Sequence, residues 1–265
     1  MELNLKGKIA FVTGAGMGIA KAIALALAKE GVDISCIEFN KEALEEARRE
    51  IQTIGVKVVA TLGSVTKVED VKNAVNSTID TFGRIDILVN SAGSSPAGDV
   101  LSISHEDWAH AFDVKFLGYV RCIKEVVPHM IRQGGGKIIN LVGIGATEFV
   151  PLHDSGAANN AAVVILTSYL AQKVGKYNIL VIGINPGPVG PTAKLAKLFF
   201  EISRDRGCTV EEVGQMMKDR IPLGRFCHVE DIANLSVFLA SEANRYITGE
   251  IITIDGGYAK AIMNR

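Results

Sequence analysis

The sequence predicts an α/β protein: one doubly wound parallel sheet of about seven strands with helices on both faces. Three observations predict it. Short apolar runs rich in β-branched residues recur along the chain, amphipathic stretches of helical period separate them, and a glycine cluster joins the first run to the first helix. Strands covered on both faces need apolar runs rather than strict alternation, and these runs have that character.

Taken in order, strands are expected at residues 8–13, 33–39, 57–62, 85–90, 137–142, 180–185 and 251–255. Helices are expected over 18–30, 41–53, 67–82, 106–133, 159–176 and 229–240. Residues 192–220 form two helical pieces broken by Arg206, Gly207 and Cys208, and are expected to be a lid over a ligand cleft. No linker, repeat or low-complexity tract divides the chain, so residues 1–265 are expected to form a single domain.

Composition narrows the function. With 28 basic and 29 acidic residues and a formal charge of -1, the chain carries no electrostatic footprint for nucleic acid or an anionic membrane. Cys36, Cys122, Cys208 and Cys227 are scattered and form no Cys-x-x-Cys, so neither a metal site nor a disulfide framework is implied. With no secretory leader read at the start, reduced thiols in a soluble cytoplasmic protein are expected. The most apolar stretch, 157–171, is interrupted by Asn159, Asn160, Thr167 and Ser168 and falls short of a bilayer span.

The glycine cluster Gly14, Gly16, Met17, Gly18 and Ile19 lies where a strand turns into a helix. There, backbone N–H groups at the positive helix end can hold a pyrophosphate. Glu38 ends the second strand about twenty residues on, where a carboxylate bonds ribose hydroxyls and repels a 2′-phosphate. NAD is therefore the expected cofactor, in preference to NADP. The alternative is that Glu38 is an ordinary charge at a strand end.

With this loop come Asn90, Ala92 and Gly93 after the fourth strand, Pro186, Gly187 and Val189 after the sixth, Pro222-Leu223-Gly224-Arg225, and a closing Asp255-Gly256-Gly257. In that order, over nearly the whole chain, they resemble the short-chain dehydrogenase/reductase family. The resemblance implies a Rossmann-type sheet with its cofactor cleft at the carboxyl ends of the strands. Three cofactor positions depart from the family pattern: its third glycine is Ala20, its adenine-holding aspartate is Ser64, and its nicotinamide-holding threonine falls at Pro191, with Thr192 displaced by one. At about 0.5–1.5 kcal/mol per lost hydrogen bond, NAD binding is expected to weaken tens- to hundreds-fold.

The family moves a hydride between nicotinamide and an alcohol or ketone carbon while a tyrosine moves the proton, helped by a lysine, a serine and an asparagine. On this sequence the resemblance puts the asparagine at Lys115, the serine at Gly143, the tyrosine at Gly156 and the lysine at Asn160. No catalytic residue is then expected, because glycine has no side chain with which to carry a proton. General acid–base help is worth about 10²–10⁴ in rate and oxyanion stabilisation about 10²–10³. Their loss adds roughly 5–9 kcal/mol to the barrier. Tyr169, the next tyrosine, lies about 20 Å along the helix axis and cannot substitute.

The resemblance implies that the helix after Gly156 and the stretch 119–130 pair subunits, as does the closing helix and strand, and these look intact. The expected role is thus a non-catalytic subunit in a heterotetramer with an active paralogue that oxidises a hydroxyacyl-CoA type alcohol with NAD, in the manner of two-subunit dehydrogenases of aromatic hydrocarbon degradation. Its tail, 260–265, is expected to reach a neighbour's active site. Two alternatives stand: an enzyme with a rebuilt site using His153, Asp154 and Lys115, in a loop where Asp154 or Ser155 caps the next helix, and a dinucleotide-binding sensor.

Overall fold

The computed structural model describes residues 2–259; the tail assigned above to a neighbour's site, 260–265, lies outside the described residues. Seven strands, β1 (Ile9–Thr13), β2 (Asp33–Glu38), β3 (Val58–Leu62), β4 (Ile87–Asn90), β5 (Gly136–Leu141), β6 (Ile179–Pro186) and β7 (Ile251–Ile254), form one parallel sheet in the order β3-β2-β1-β4-β5-β6-β7. Alternate residues of β1 face opposite layers: Ala10 and Val12 join one core with Leu27 and Leu239, while Phe11 joins another with Tyr119 and Val126. Helices α1 (Gly18–Lys29), α2 (Lys41–Gln52) and α9 (Val229–Ala240) cover the first face, and α3 (Val68–Phe82), α5 (Gly118–Arg132) and α6 (Asp154–Val174) the second. The strand order reverses between β1 and β4, and that switch point opens a crevice at the carboxyl ends of the strands.

Two helices differ from the sequence expectation in ways that shape the crevice. The stretch expected as one helix over 106–133 is α4 (His105–Phe112) and α5 joined by a π-helical turn, Asp113–Leu117. A π turn inserts extra backbone without breaking the helix, so apolar periodicity does not reveal it. Helix α6 starts at Asp154, five residues before the expected 159, because Gly156, Ala157 and Ala158 carry no outward pattern to count. Asp154 is consequently inside the first turn; His153 precedes the helix as its cap residue, and neither Asp154 nor Ser155 has the capping role expected of it.

Between β6 and α9 lie α7 (Ala193–Arg206) and α8 (Val210–Asp219). Gly207, in a left-handed conformation, ends α7, and a reciprocal capping box between Thr209 and Glu212 starts α8. The pair has a small core of its own, Phe199, Ile202, Val213 and Met217, with Phe226 beside Phe199 at 5.7 Å. Leu195, Leu198 and Met217 of this segment line the crevice.

Candidate active site

A cleft of about 1530 Å³ runs along the carboxyl edge of the sheet. At one end, Gly14, Met17, Gly18 and Ile19 form its floor, joined by Glu38, Ala92 and Gly93, and by Pro186, Gly187 and Val189. Gly16 and Asn90, also expected here, are not among the residues that line it. The Gly16 N–H donates to Glu38 Oε2 at 3.1 Å, and a Cβ on Gly16 would come within 2.9 Å of that oxygen. Asn90 bridges β4 to β5 through Asn140 at 2.9 Å, and its own Oδ1 is buried without a partner.

Glu38 is 5% exposed and also accepts the Asn40 N–H at 3.0 Å. Its carboxylate therefore orders the glycine loop from β2 while lining the cleft. Helix α1 follows Met17 as its N-cap residue, with no side-chain cap and no acidic residue in its first turn. Its leading N–H groups therefore face the cleft with a positive helix end, and a side chain on Gly14 would fill the cradle by approaching Ala92 Cα to 3.1 Å. These residues fit the pyrophosphate and ribose of a dinucleotide. Elsewhere the fit is poorer. The Ser64 hydroxyl pairs with Thr66 at 2.8 Å, and its N–H is held by Asp70. The Thr192 hydroxyl donates to Val189 O and caps α7 by accepting from Leu195 N–H, so both its functions are occupied.

At the other end, the structure brings Lys115, Gly143, Gly156 and Asn160 together. The π-helical turn aims Lys115 across the cleft, where its Nζ donates to Asn160 Oδ1 at 2.5 Å and to Val142 O at 2.6 Å. The Asn160 amide in turn donates to Gly143 O at 3.1 Å. Gly143 has φ +136°, a region that favours glycine, and a Cβ there would sit 2.7 Å from Asn160 Nδ2. The amide of Asn160 thus fills the room that a side chain at 143 would need.

His153 does the same for Gly156. A Cβ on Gly156 would fall 2.2 Å from His153 Cε1, and one on Gly145 would fall 3.0 Å from Cδ2. The imidazole is seated between two glycines, with its backbone held by a bridge to Gly98. The preceding residue, Leu152, has φ +54°, a strained geometry for a γ-branched side chain. Asp154, expected as a partner for this histidine, turns outward and accepts the Val100 N–H at 2.9 Å.

Among the described residues two tyrosines, Tyr119 and Tyr258, line the cleft. Tyr119 lines the cleft, but it is 1% exposed, donates to Leu141 O at 3.0 Å, and burial drives its phenol pKa far upward. Tyr169 is 74% exposed on the outer face of α6. Sequence reasoning missed His110, Ser95 and Tyr258 as cleft residues: His110 sits on a helix whose direction toward the cleft the pattern does not give, and Ser95 and Tyr258 lie in loops. Among the described residues no group of acidic, histidine and cysteine side chains could hold a metal ion, and no helix is long and apolar enough to cross a membrane.

Comparison with known proteins agrees with this geometry. Residues 14–259 match the family model described as enoyl-(acyl carrier protein) reductase. A 3-oxoacyl-[acyl-carrier-protein] reductase of Thermotoga maritima is 33% identical over 255 residues, covering 96% of this chain and 99% of the relative. Its counterpart from Staphylococcus epidermidis is 34% identical over 251 residues, covering 94% and 98%. Among solved structures, NAD+-bound xylitol dehydrogenase superposes with a TM-score of 0.92 at 30% identity, covering 96% of this chain and 100% of that one. The L-sorbose reductase of Gluconobacter frateurii, complexed with NADPH and L-sorbose, gives 0.91 at 33% identity, covering 99% and 100%. The chain belongs to the short-chain dehydrogenase/reductase family.

Proposed function

We propose that this chain is a dinucleotide-binding, non-catalytic subunit that assembles with an active short-chain dehydrogenase paralogue. The observation that carries the reading is the interlocked floor of the cleft. Lys115, Asn160 and Gly143 satisfy one another, and His153 occupies the approach to Gly156, leaving no tyrosine in the proton-carrying place. The cradle formed by Gly14, the α1 terminus and Glu38 supports nicotinamide dinucleotide binding. The Glu38 carboxylate favours NAD over NADP, since a 2′-phosphate beside it would meet like charge. Ile165 and Tyr169, 59% and 74% exposed on α6, support a partner covering that helix.

Such a pairing resembles the hydroxybenzylsuccinyl-CoA dehydrogenase of anaerobic toluene degradation, in which one of two paired subunits is catalytically degenerate. On this reading the complex oxidises a hydroxyacyl-CoA type alcohol with NAD, and this chain supports the active subunit. Co-expression with a paralogue that retains the tyrosine and lysine, followed by native mass measurement, tests it. A mixed tetramer is expected, and exclusive formation of separate homo-oligomers would contradict it. In parallel, calorimetry on the isolated chain is expected to give weaker binding of NADP than of NAD.

One observation favours a second reading. His153 faces the cleft where a proton carrier would stand, so the chain would act as an enzyme with rebuilt chemistry. Activity of the isolated chain that disappears in His153→Ala would favour it over the subunit role.

A further inference from the structure

We infer that a second pocket, between α7, α8 and the turn before α9, binds a small carboxylic acid with a short aliphatic chain. Its volume is about 480 Å³, within the roughly 300–1,000 Å³ of small-ligand sites. It backs onto the main cleft through a shared wall, since Pro191, Thr192 and Leu195 line both. No residue of the glycine loop lines it, and neither does any of residues 115, 143, 153, 156 and 160.

Its apolar surface comes from Leu195 and Phe199 of α7, Val210 of α8, and Phe226 of the turn. All four belong to the small core of the α7–α8 pair or pack against it, so they are held by neighbours other than a ligand. The opposite wall is held by backbone. The Gly190 N–H donates to Cys227 O and the Cys227 N–H to Pro188 O, each at 2.9 Å, and Val189 pairs with Cys227 as a parallel bridge. The pocket is thus built before any ligand arrives, which spares a ligand the ordering cost.

The ionisable residues in its lining are all basic: Lys218, Arg225 and His228. Arg225 is committed to Asp231 at 2.7 Å, and the same carboxylate accepts the His228 N–H at 2.9 Å. Lys218 is placed differently. Its ammonium stands over the Phe226 ring at 5.5 Å, and it forms no ion pair among the described residues. The next residue on α8, Asp219, accepts instead from the Gln215 amide at 2.6 Å, and Glu212 accepts the Thr209 N–H at 2.8 Å. An ammonium at the edge of an apolar floor matches an aliphatic acid. The methylenes leave water against Leu195, Phe199 and Phe226, and the carboxylate takes a charge-assisted hydrogen bond from Lys218.

Calorimetric titration of the full chain with hexanoate, with hexanamide as its neutral counterpart and acetate as its truncated one, tests the proposal. Hexanoate is expected to bind with a Kd of about 1 mM. Acetate, lacking the methylenes, is expected to bind at least about tenfold more weakly, and hexanamide about threefold more weakly, as suits a charge at an exposed rim. Lys218→Gln, on the exposed face of α8, should weaken hexanoate by about the same threefold. Ala196→Phe, at an exposed position of α7 that lines this pocket and not the main cleft, should fill the pocket and abolish binding. Absence of hexanoate binding, equal binding of hexanamide, or unchanged affinity in Lys218→Gln would overturn the proposal. Unchanged affinity in Ala196→Phe would overturn it too, by placing the acid in the main cleft.

Discussion

Lys115 Nζ and Asn160 Oδ1 lie 2.5 Å apart, tying the π-helical turn after α4 to the second turn of α6. The same amide donates to Gly143 O, so three separate segments meet at one side chain. Residues 115, 143 and 160 form one unit, in which a side chain added at 143 would press on the amide that Lys115 holds.

Gly143→Ser is the simplest case. The backbone at φ +136° strains any residue with a Cβ, and that Cβ would press on the Asn160 amide at 2.7 Å. A loss of about 1–3 kcal/mol is expected from urea unfolding. An unchanged midpoint and slope would show that the loop relaxes freely.

His153 and Gly156 give a test with opposite signs. Within a helix, alanine outranks glycine by about 0.8–1 kcal/mol, so Gly156→Ala should stabilise unless its Cβ collides. The collision with His153 at 2.2 Å predicts net destabilisation of about 1–2 kcal/mol in the wild-type background. In a His153→Ala background the same change should stabilise. Additive effects in the thermal unfolding of the four proteins would remove the proposed contact.

Much of the architecture was legible beforehand. Each expected strand exists within about two residues of its predicted bounds, because a strand buried on both faces leaves a continuous apolar run that ends at polar or glycine punctuation. Helix α9 coincides with its expected span, 229–240. The site was legible only as residue identities at motif positions. That Lys115 reaches Asn160 depends on a π-helical turn, and that His153 covers Gly156 depends on an early start to α6, neither of which leaves a periodic trace. The outward turn of Asp154 was hidden for a similar reason, since its acceptor role is set by the loop at Val100, distant in sequence.

Glu38 serves the fold as well as any ligand. Glu38→Gln turns one of two acceptor oxygens into a donor facing the N–H of Gly16 or Asn40. The expected cost is about 1–3 kcal/mol in chemical unfolding. The same variant should narrow the preference for NAD over NADP in calorimetry. Full stability together with unchanged preference would place the carboxylate outside both roles.

Acid sensitivity should arise partly at the start of α9. The Arg225 guanidinium and the His228 N–H hold the Asp231 carboxyl below its ordinary range. A carboxylate whose folded pKa is depressed adds stability above the unfolded value near 3.8, and that contribution disappears as pH falls through the folded value. Asp231→Asn should therefore be less stable than wild type at pH 7, and the gap should close in strong acid, below the folded value. Urea midpoints that stay equally separated at both pH values would argue against this ion pair as the source.

On the proposed reading the cleft keeps its scaffold without proton-transfer groups, and turnover by the isolated chain tests this most directly. With NAD or NADH and a panel of hydroxyacyl- and ketoacyl-CoA thioesters, the purified chain alone should show no absorbance change at 340 nm above the uncatalysed rate. Addition of the active paralogue should restore it. Turnover by this chain alone at an ordinary enzymatic rate of about 1–10³ s⁻¹ would contradict the account.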